Sequence, residues 1–269
     1  MNVLYSLPAA LLLVIAVAIA VAITGAGQGF VRHRFRSGGF VAHNDVGGTI
    51  FAVAGTLYAV ILGFMTVVAW QHYTEAREIV VLEAGADIDA WHSAVGLPPP
   101  ARERLRSDMF AYAKIMVDRE WPRMRRGDYD PNAAFVDMDA LDVAGTLAPA
   151  NAGESNAQAA TLQQLTVMHD ARQRRIAVNG SGVSWFEWLV LLGGAMCITS
   201  FCWLFGVGNA RVHLLMTSTV VAIIVSALVL LFELQYPFRS DIGIGPGAWR
   251  SALEHLHQMQ AGSRADMRM

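Results

Sequence analysis

Four long apolar stretches punctuate the chain, at Val3 to Thr24, Gly47 to Trp70, Trp188 to Val207 and Val212 to Phe232. Each supplies the ~20 residues a helix needs to cross ~30 Å of hydrocarbon. The amino-acid inventory agrees, with 54% hydrophobic and only 16% charged residues in 269. We therefore read an all-α integral membrane protein with four transmembrane helices. The first stretch is read as a span rather than a cleaved leader, because Met1 to Ala22 carries no Lys or Arg and a secretory n-region is normally positive.

The charged residues concentrate in residues 71–183, which hold 12 of the 20 basic and 16 of the 22 acidic side chains. Apolar residues there recur at three and four, as in Ile79, Leu82, Ala86 and Ala90, the helical period. No strong breaker interrupts Thr49 to Gly96, although Gly85 is a possible kink. The second span is thus expected to continue as one helix of about 70 Å. Pro98-Pro99-Pro100 stops it and presets the next helix, which ends near Trp121-Pro122 and Gly127. Asp130-Pro131 reads as an N-cap followed by proline at the first helical position, opening a helix to about Leu147. A loop over Ala148 to Asn156 and a last helix over Gln158 to about Val178 complete a helical-bundle insert between spans two and three. The expected organisation is 1–70 (spans one and two), 71–183 (insert), 184–234 (spans three and four) and 235–269 (tail). Sidedness stays open. Arg32, Arg34 and Arg36 in the first loop favour an outside N-terminus, whereas Arg172, Arg174, Arg175, Arg239 and Arg250 favour the opposite.

An ordered set of residues runs through this plan: Asn44-Asp45-Val46-Gly47, Leu57-Tyr58-Ala59-Val60-Ile61-Leu62-Gly63-Phe64, Trp70, Tyr73 and Glu83-Ala84, then Tyr112, Glu120-Trp121-Pro122, Arg172, Arg175 and Pro237-Phe238-Arg239. Over about residues 3 to 255 it resembles the bacterial bestrophin-like membrane family. The resemblance implies a multi-pass protein of the bacterial inner membrane. It also implies kinship with bestrophins, homo-oligomeric anion channels with four membrane helices per subunit and a helical domain between the second and third. An acidic calcium clasp like that of eukaryotic bestrophins is not evident. Bestrophins also keep the insert in the cytoplasm, against the first-loop charge count.

Along the second span, Gly48, Ala52, Gly55, Ala59 and Gly63 form a small-residue stripe suited to close helix packing. Phe51, Tyr58 and Met65 repeat every seven residues beside it and, with Ile61, form a candidate hydrophobic constriction lining a pore; plain packing is the competing reading. No Asp, Glu, Lys or Arg lies mid-span, which argues against ion-coupled transport. Glu187 and Glu233 stand at span margins as pore-mouth or interfacial groups.

The remaining motifs are weak. Asp128-x-Asp130-x-Asn132 lacks the glycine a calcium loop needs at its sixth position, where Ala133 stands. His72, Glu75, Glu78 and Glu83 lack metal-ligand spacing. Arg119, Arg123, Arg125 and Arg126 beside Trp121 suit an anionic headgroup or a partner, but Asp118, Glu120 and Asp128 offset much of their charge. With a net charge of -2 there is no basic excess for nucleic acid. Neither a P-loop, a nucleophile elbow nor a dinucleotide fingerprint occurs, so neither enzyme activity nor a cofactor is expected. The expectation is a homo-oligomer in contact with membrane lipids that passes inorganic anions along its second span. The alternative is a non-conducting scaffold or stress sensor whose insert binds a protein or lipid.

Overall fold

In a computed structural model, Tyr5, residues 7–35 and residues 44–266 are described. Val3, where the first predicted span begins, and Arg36 lie outside them. All regular structure among the described residues is helical: α1 (Ala9–Arg34), α2 (Asn44–Ser93), α3 (Pro99–Ile115), α4 (Trp121–Met124), α5 (Pro131–Thr146), α6 (Ala152–Gly180), α7 (Trp185–Trp203), α8 (Ala210–Leu234) and α9 (Gly247–Asp266). A 3₁₀ turn (Ala94–Gly96) follows α2, and a π-turn (Met116–Glu120) joins α3 to α4. Helices α1, α2, α7 and α8 are each long and apolar enough to cross a membrane.

Two compact units divide the chain. The first comprises residues 1–72, 182–235 and 240–242; the second comprises residues 73–181, 236–239 and 243–269. The boundary falls inside α2, which runs unbroken through Gly85 for 50 residues, about 75 Å.

In the first unit α1 packs along α8, and α7 touches both. Their apolar faces are largely exposed, as lipid-facing helices require. Polar side chains tie the helix ends. Arg32 donates from Nη1 and Nη2 to the carbonyls of Val207 and Gly208, at 3.1 and 2.8 Å. Asn44 clamps Gly206 through both its donor and its acceptor, each at 3.0 Å. Elsewhere Tyr5 stacks on Phe232 and donates to its carbonyl at 3.0 Å, while Gln235 accepts from Trp188 Nε1 at 3.1 Å.

In the second unit the local signals act largely as written. Asp130 caps α5 by accepting the Asn132 N–H at 2.9 Å, with Pro131 at the first helical position. Helix α6 starts about six residues before its predicted onset, because Asn151 accepts the Glu154 N–H at 2.9 Å and Glu154 accepts the Ala150 N–H at 2.7 Å. The C-terminal tail is not a separate stretch. Trp249, Ala252 and Leu256 of α9 are buried in the core beside Met109, Tyr112 and Met116, and Trp249 meets Tyr112 edge-on at 5.4 Å.

Candidate functional site

Two places in the molecule concentrate chemistry: the membrane portion of α2, and a cluster of buried charges in the second unit.

From Val46 to Thr74, α2 contains no Asp, Glu, Lys or Arg. One face of it meets α7. Tyr58 is 8% exposed, donates its hydroxyl to the Leu191 carbonyl at 3.1 Å and packs one edge of its ring against Gly194. Phe51 stacks on Phe201 and meets Phe205 edge-on, at 5.7 and 5.6 Å. In the single chain these contacts leave Tyr58 buried and Phe51 half-buried on the side of α2 that meets α7. A buried phenol must satisfy its hydroxyl, and the Leu191 carbonyl is what it finds. Met65 is half-buried, while Ile61 is 45% exposed and Phe64 69%.

At 3.6 residues per turn, Ile50, Leu57, Ile61 and Phe64 fall within an arc of about 60°, roughly opposite the stripe of Gly48, Ala52, Gly55, Ala59 and Gly63. Both flanks are uncovered in the single chain. The four bulky residues are exposed, and nothing lies within 4 Å of where a Cβ would stand at Gly48, Gly55 or Gly63. Gly55, Ala59 and Gly63 instead border an open apolar groove of about 520 Å³ facing Val220, Ile223 and Ile224 of α8.

Neither margin glutamate stands free. Glu187 is the third residue of α7 and closes a capping box with Ser184, accepting its N–H at 2.7 Å. Glu233 is 3% exposed in the last turn of α8, beside Ser240 and Asp241. The close approach of Tyr58 to Gly194 makes a direct test. A Cβ at Gly194 would lie 2.5 Å from the Tyr58 ring, so Gly194→Val is expected to cost about 1–3 kcal/mol. Thermal denaturation of the detergent-solubilised protein checks this, with Gly193→Val, at an open position, as the control.

The charge cluster lies in the second unit and is fully enclosed. Arg172, Arg175, Glu83 and Glu120 are each 0% exposed. Arg175 donates from Nε and Nη2 to the two Glu83 oxygens, at 2.5 and 3.1 Å, and from Nη2 to Glu120 Oε1 at 3.2 Å. Arg172 donates to Glu120 Oε1 at 3.0 Å and to the Asp130 carbonyl at 3.3 Å. Tyr112 donates to Glu83 Oε1 at 2.5 Å, and the Asp130 N–H to Glu120 Oε2 at 2.5 Å. Two cations thus face two anions, so the charge balances. Burial opposes the charge on Arg175, but the contacts with Glu83 outweigh it and its pKa is raised. Burial and then Glu83 push the Tyr112 hydroxyl well up, so it serves as a donor.

The π-turn is what brings Glu120 into this cluster. Its wider turn places Met116, Glu120, Trp121 and Met124 all inward, and π-turns of this kind often accompany specialised sites. Asp87, one turn beyond Glu83, is also 0% exposed, with no hydrogen-bond partner for either oxygen. Asp137 pairs with His169 Nδ1 at 2.7 Å. Composition and spacing held no sign that these charges would be buried; only the resemblance named Glu83, Tyr112, Glu120, Arg172 and Arg175 together. No group of three His, Cys, Asp or Glu side chains close enough to hold a metal occurs among the described residues.

A family model for the Bestrophin-like domain matches residues 14–249. The chain belongs to the Bestrophin-like family. Solved structures of a bacterial bestrophin homologue from Klebsiella pneumoniae share the fold of this bestrophin-like chain. One phased on zinc superposes with a TM-score of 0.72 at 13% identity, covering 91% of this chain and 98% of that one. Two point variants of that homologue give TM-scores of 0.72 and 0.70 at 13% identity, covering 91% and 93% of this chain and 98% of each of theirs. No curated protein matches the chain significantly in sequence.

Proposed function

We propose that copies of this bestrophin-like protein assemble into a ring around a passive anion pathway lined by α2. The observation that carries the reading is the pair of opposed, uncovered flanks on a membrane helix without Asp, Glu, Lys or Arg from Val46 to Thr74. The small stripe lets a helix of the next copy approach closely while the bulky flank stays free to face the ring's axis, so one copy can pack against the next head to tail, an arrangement that closes into rings. In that ring Ile61, with Met65 at its edge, lines the constriction. Leu57 and Phe64 stand beside Ile61, and Phe51 and Tyr58 hold the helix against α7. The small stripe from Gly48 to Gly63 is the packing surface between copies. A hydrophobic constriction of this kind controls passage by dewetting. Passive conduction also fits spans without mid-membrane charge.

The test is conductance of the purified protein in planar bilayers under a KCl gradient, against protein-free and heat-denatured controls. Discrete steps reversing toward the chloride potential are expected. Ile61→Thr, which wets the constriction, is expected to raise single-channel conductance severalfold. Silence of the wild type across voltage, calcium and pH would defeat the proposal and favour the scaffold reading. Steps that Ile61→Thr leaves unchanged would remove α2 from the pathway.

A further inference from the structure

At one end of the second unit three segments converge: the close of α6 at Asn179–Gly180, the stretch Tyr236–Arg239, and the turn that follows α4. Arg239 pins them together. Its Nη2 donates to the Asn179 carbonyl at 2.8 Å, its guanidinium lies 4.0 Å from the Tyr236 ring centre, and Gly127 approaches it so closely that a Cβ there would be 2.8 Å away. Gly127 also has a φ of 81°, in the left-handed region that favours glycine. Asn179 is only six residues before Trp185, the first residue of a candidate span, and Tyr236 follows Leu234, the last residue of another. Asn179 and Arg239 are therefore joined to candidate spans through only six and five residues of chain.

The turn is basic, and its arginines fall into two kinds. Arg119 and Arg123 are already committed, at 3.0 and 3.7 Å from Asp130. Arg125 and Arg126 are exposed, and neither side chain has a carboxylate or hydrogen-bond partner among the described residues. Asp128, exposed in the same turn, pairs with neither. Tyr129 of the same turn and Phe135, one turn into α5, are also exposed, at 48% and 71%. Unpaired guanidinium groups in a turn that also exposes an aromatic ring, on a segment joined to candidate spans by a few residues of chain, match what an anionic headgroup requires. A guanidinium binds phosphate oxygens in bidentate fashion, and aromatic rings settle at headgroup depth.

We propose that Arg125 and Arg126 bind the phosphate of an anionic phospholipid in the adjacent leaflet and so fasten the extramembrane unit to the bilayer surface. The test is native mass spectrometry of the full-length protein with equal amounts of phosphatidylglycerol and phosphatidylcholine. Wild type is expected to retain phosphatidylglycerol preferentially. Arg125→Gln combined with Arg126→Gln is expected to lose that preference, by roughly five-fold per arginine, while the two lysine replacements together keep most of it. Circular dichroism and the two single Gln variants guard against a folding defect. Equal retention of the two lipids by wild type, or a preference that the double Gln variant leaves unchanged, would overturn the proposal. Displacement of phosphatidylglycerol by inorganic phosphate of equal charge would also overturn it, by making free phosphate the ligand.

Discussion

Replacing Arg175 with methionine is expected to cost the second unit about 3–5 kcal/mol, the usual penalty for stranding a buried charge. Glu83 loses both of its bonds from the guanidinium, at 2.5 and 3.1 Å, and keeps only Tyr112. Glu120 keeps Arg172 and the Asp130 N–H. The damage should therefore focus where α2, α3 and α6 meet. Hydrogen exchange of the full-length protein in detergent reads this as faster exchange in α3 and α6, with the membrane helices spared. The double variant Glu83→Gln, Arg175→Met separates charge from packing. It removes the stranded carboxylate, so a large part of the stability returns. If the double variant is as unstable as the sum of the two single ones, the pair is not coupled as its geometry requires.

Asp87 should make the stability of this unit depend on pH in the opposite sense to a salt-bridged acid. Burial, and then the nearby Glu83 charge, raise its pKa well above the ordinary carboxylate value, and no donor meets either oxygen. The folded protein therefore keeps a proton that the unfolded chain releases near pH 4. The stabilising contribution is fully present below about pH 4 and is lost as pH climbs toward the folded value, at up to about 1.4 kcal/mol per pH unit. Burial also raises the pKa values of Asp108 and Asp137, partly offset by Arg104 and His169 respectively, so the wild-type profile sums several groups. The difference between wild type and Asp87→Asn isolates this one. Denaturant unfolding across the pH range should show the variant gaining on wild type as pH rises. A constant difference between the two profiles would place Asp87 in contact with water.

Local grammar carried much of the reading from sequence. Proline at 98 to 100, the Asp130-Pro131 cap and the apolar runs each act through a few neighbouring residues, and the helices begin or end close to where those signals stand. Where a local signal was diluted, the boundary slipped. Asn151 and Glu154 cap α6, but the Ala- and Gly-rich composition around them reads as loop. Helix α9 carries only a thin apolar stripe amid polar residues, and it is held by Trp249 and Leu256 inserting beside Tyr112.

The candidate sites were less legible, because periodicity says which residues share a face and not what that face meets. Phe51 and Tyr58 do recur at seven, yet the partner of their face is α7, chosen through Gly194, a contact more than 130 residues away in sequence. Charged residues on a helix ordinarily read as a solvated surface, and nothing within a few residues of Glu83 or Arg175 indicates that each will be sealed against the other. The sequence by itself determined an all-helical chain with four helices long and apolar enough to cross a bilayer, because hydrocarbon thickness and backbone hydrogen bonding leave a long apolar run few other outcomes. Only the tertiary structure decided which side chains of α2 stay uncovered and which carboxylates meet which arginines, because those pairings join segments 52 to 92 residues apart, at distances that no local rule encodes.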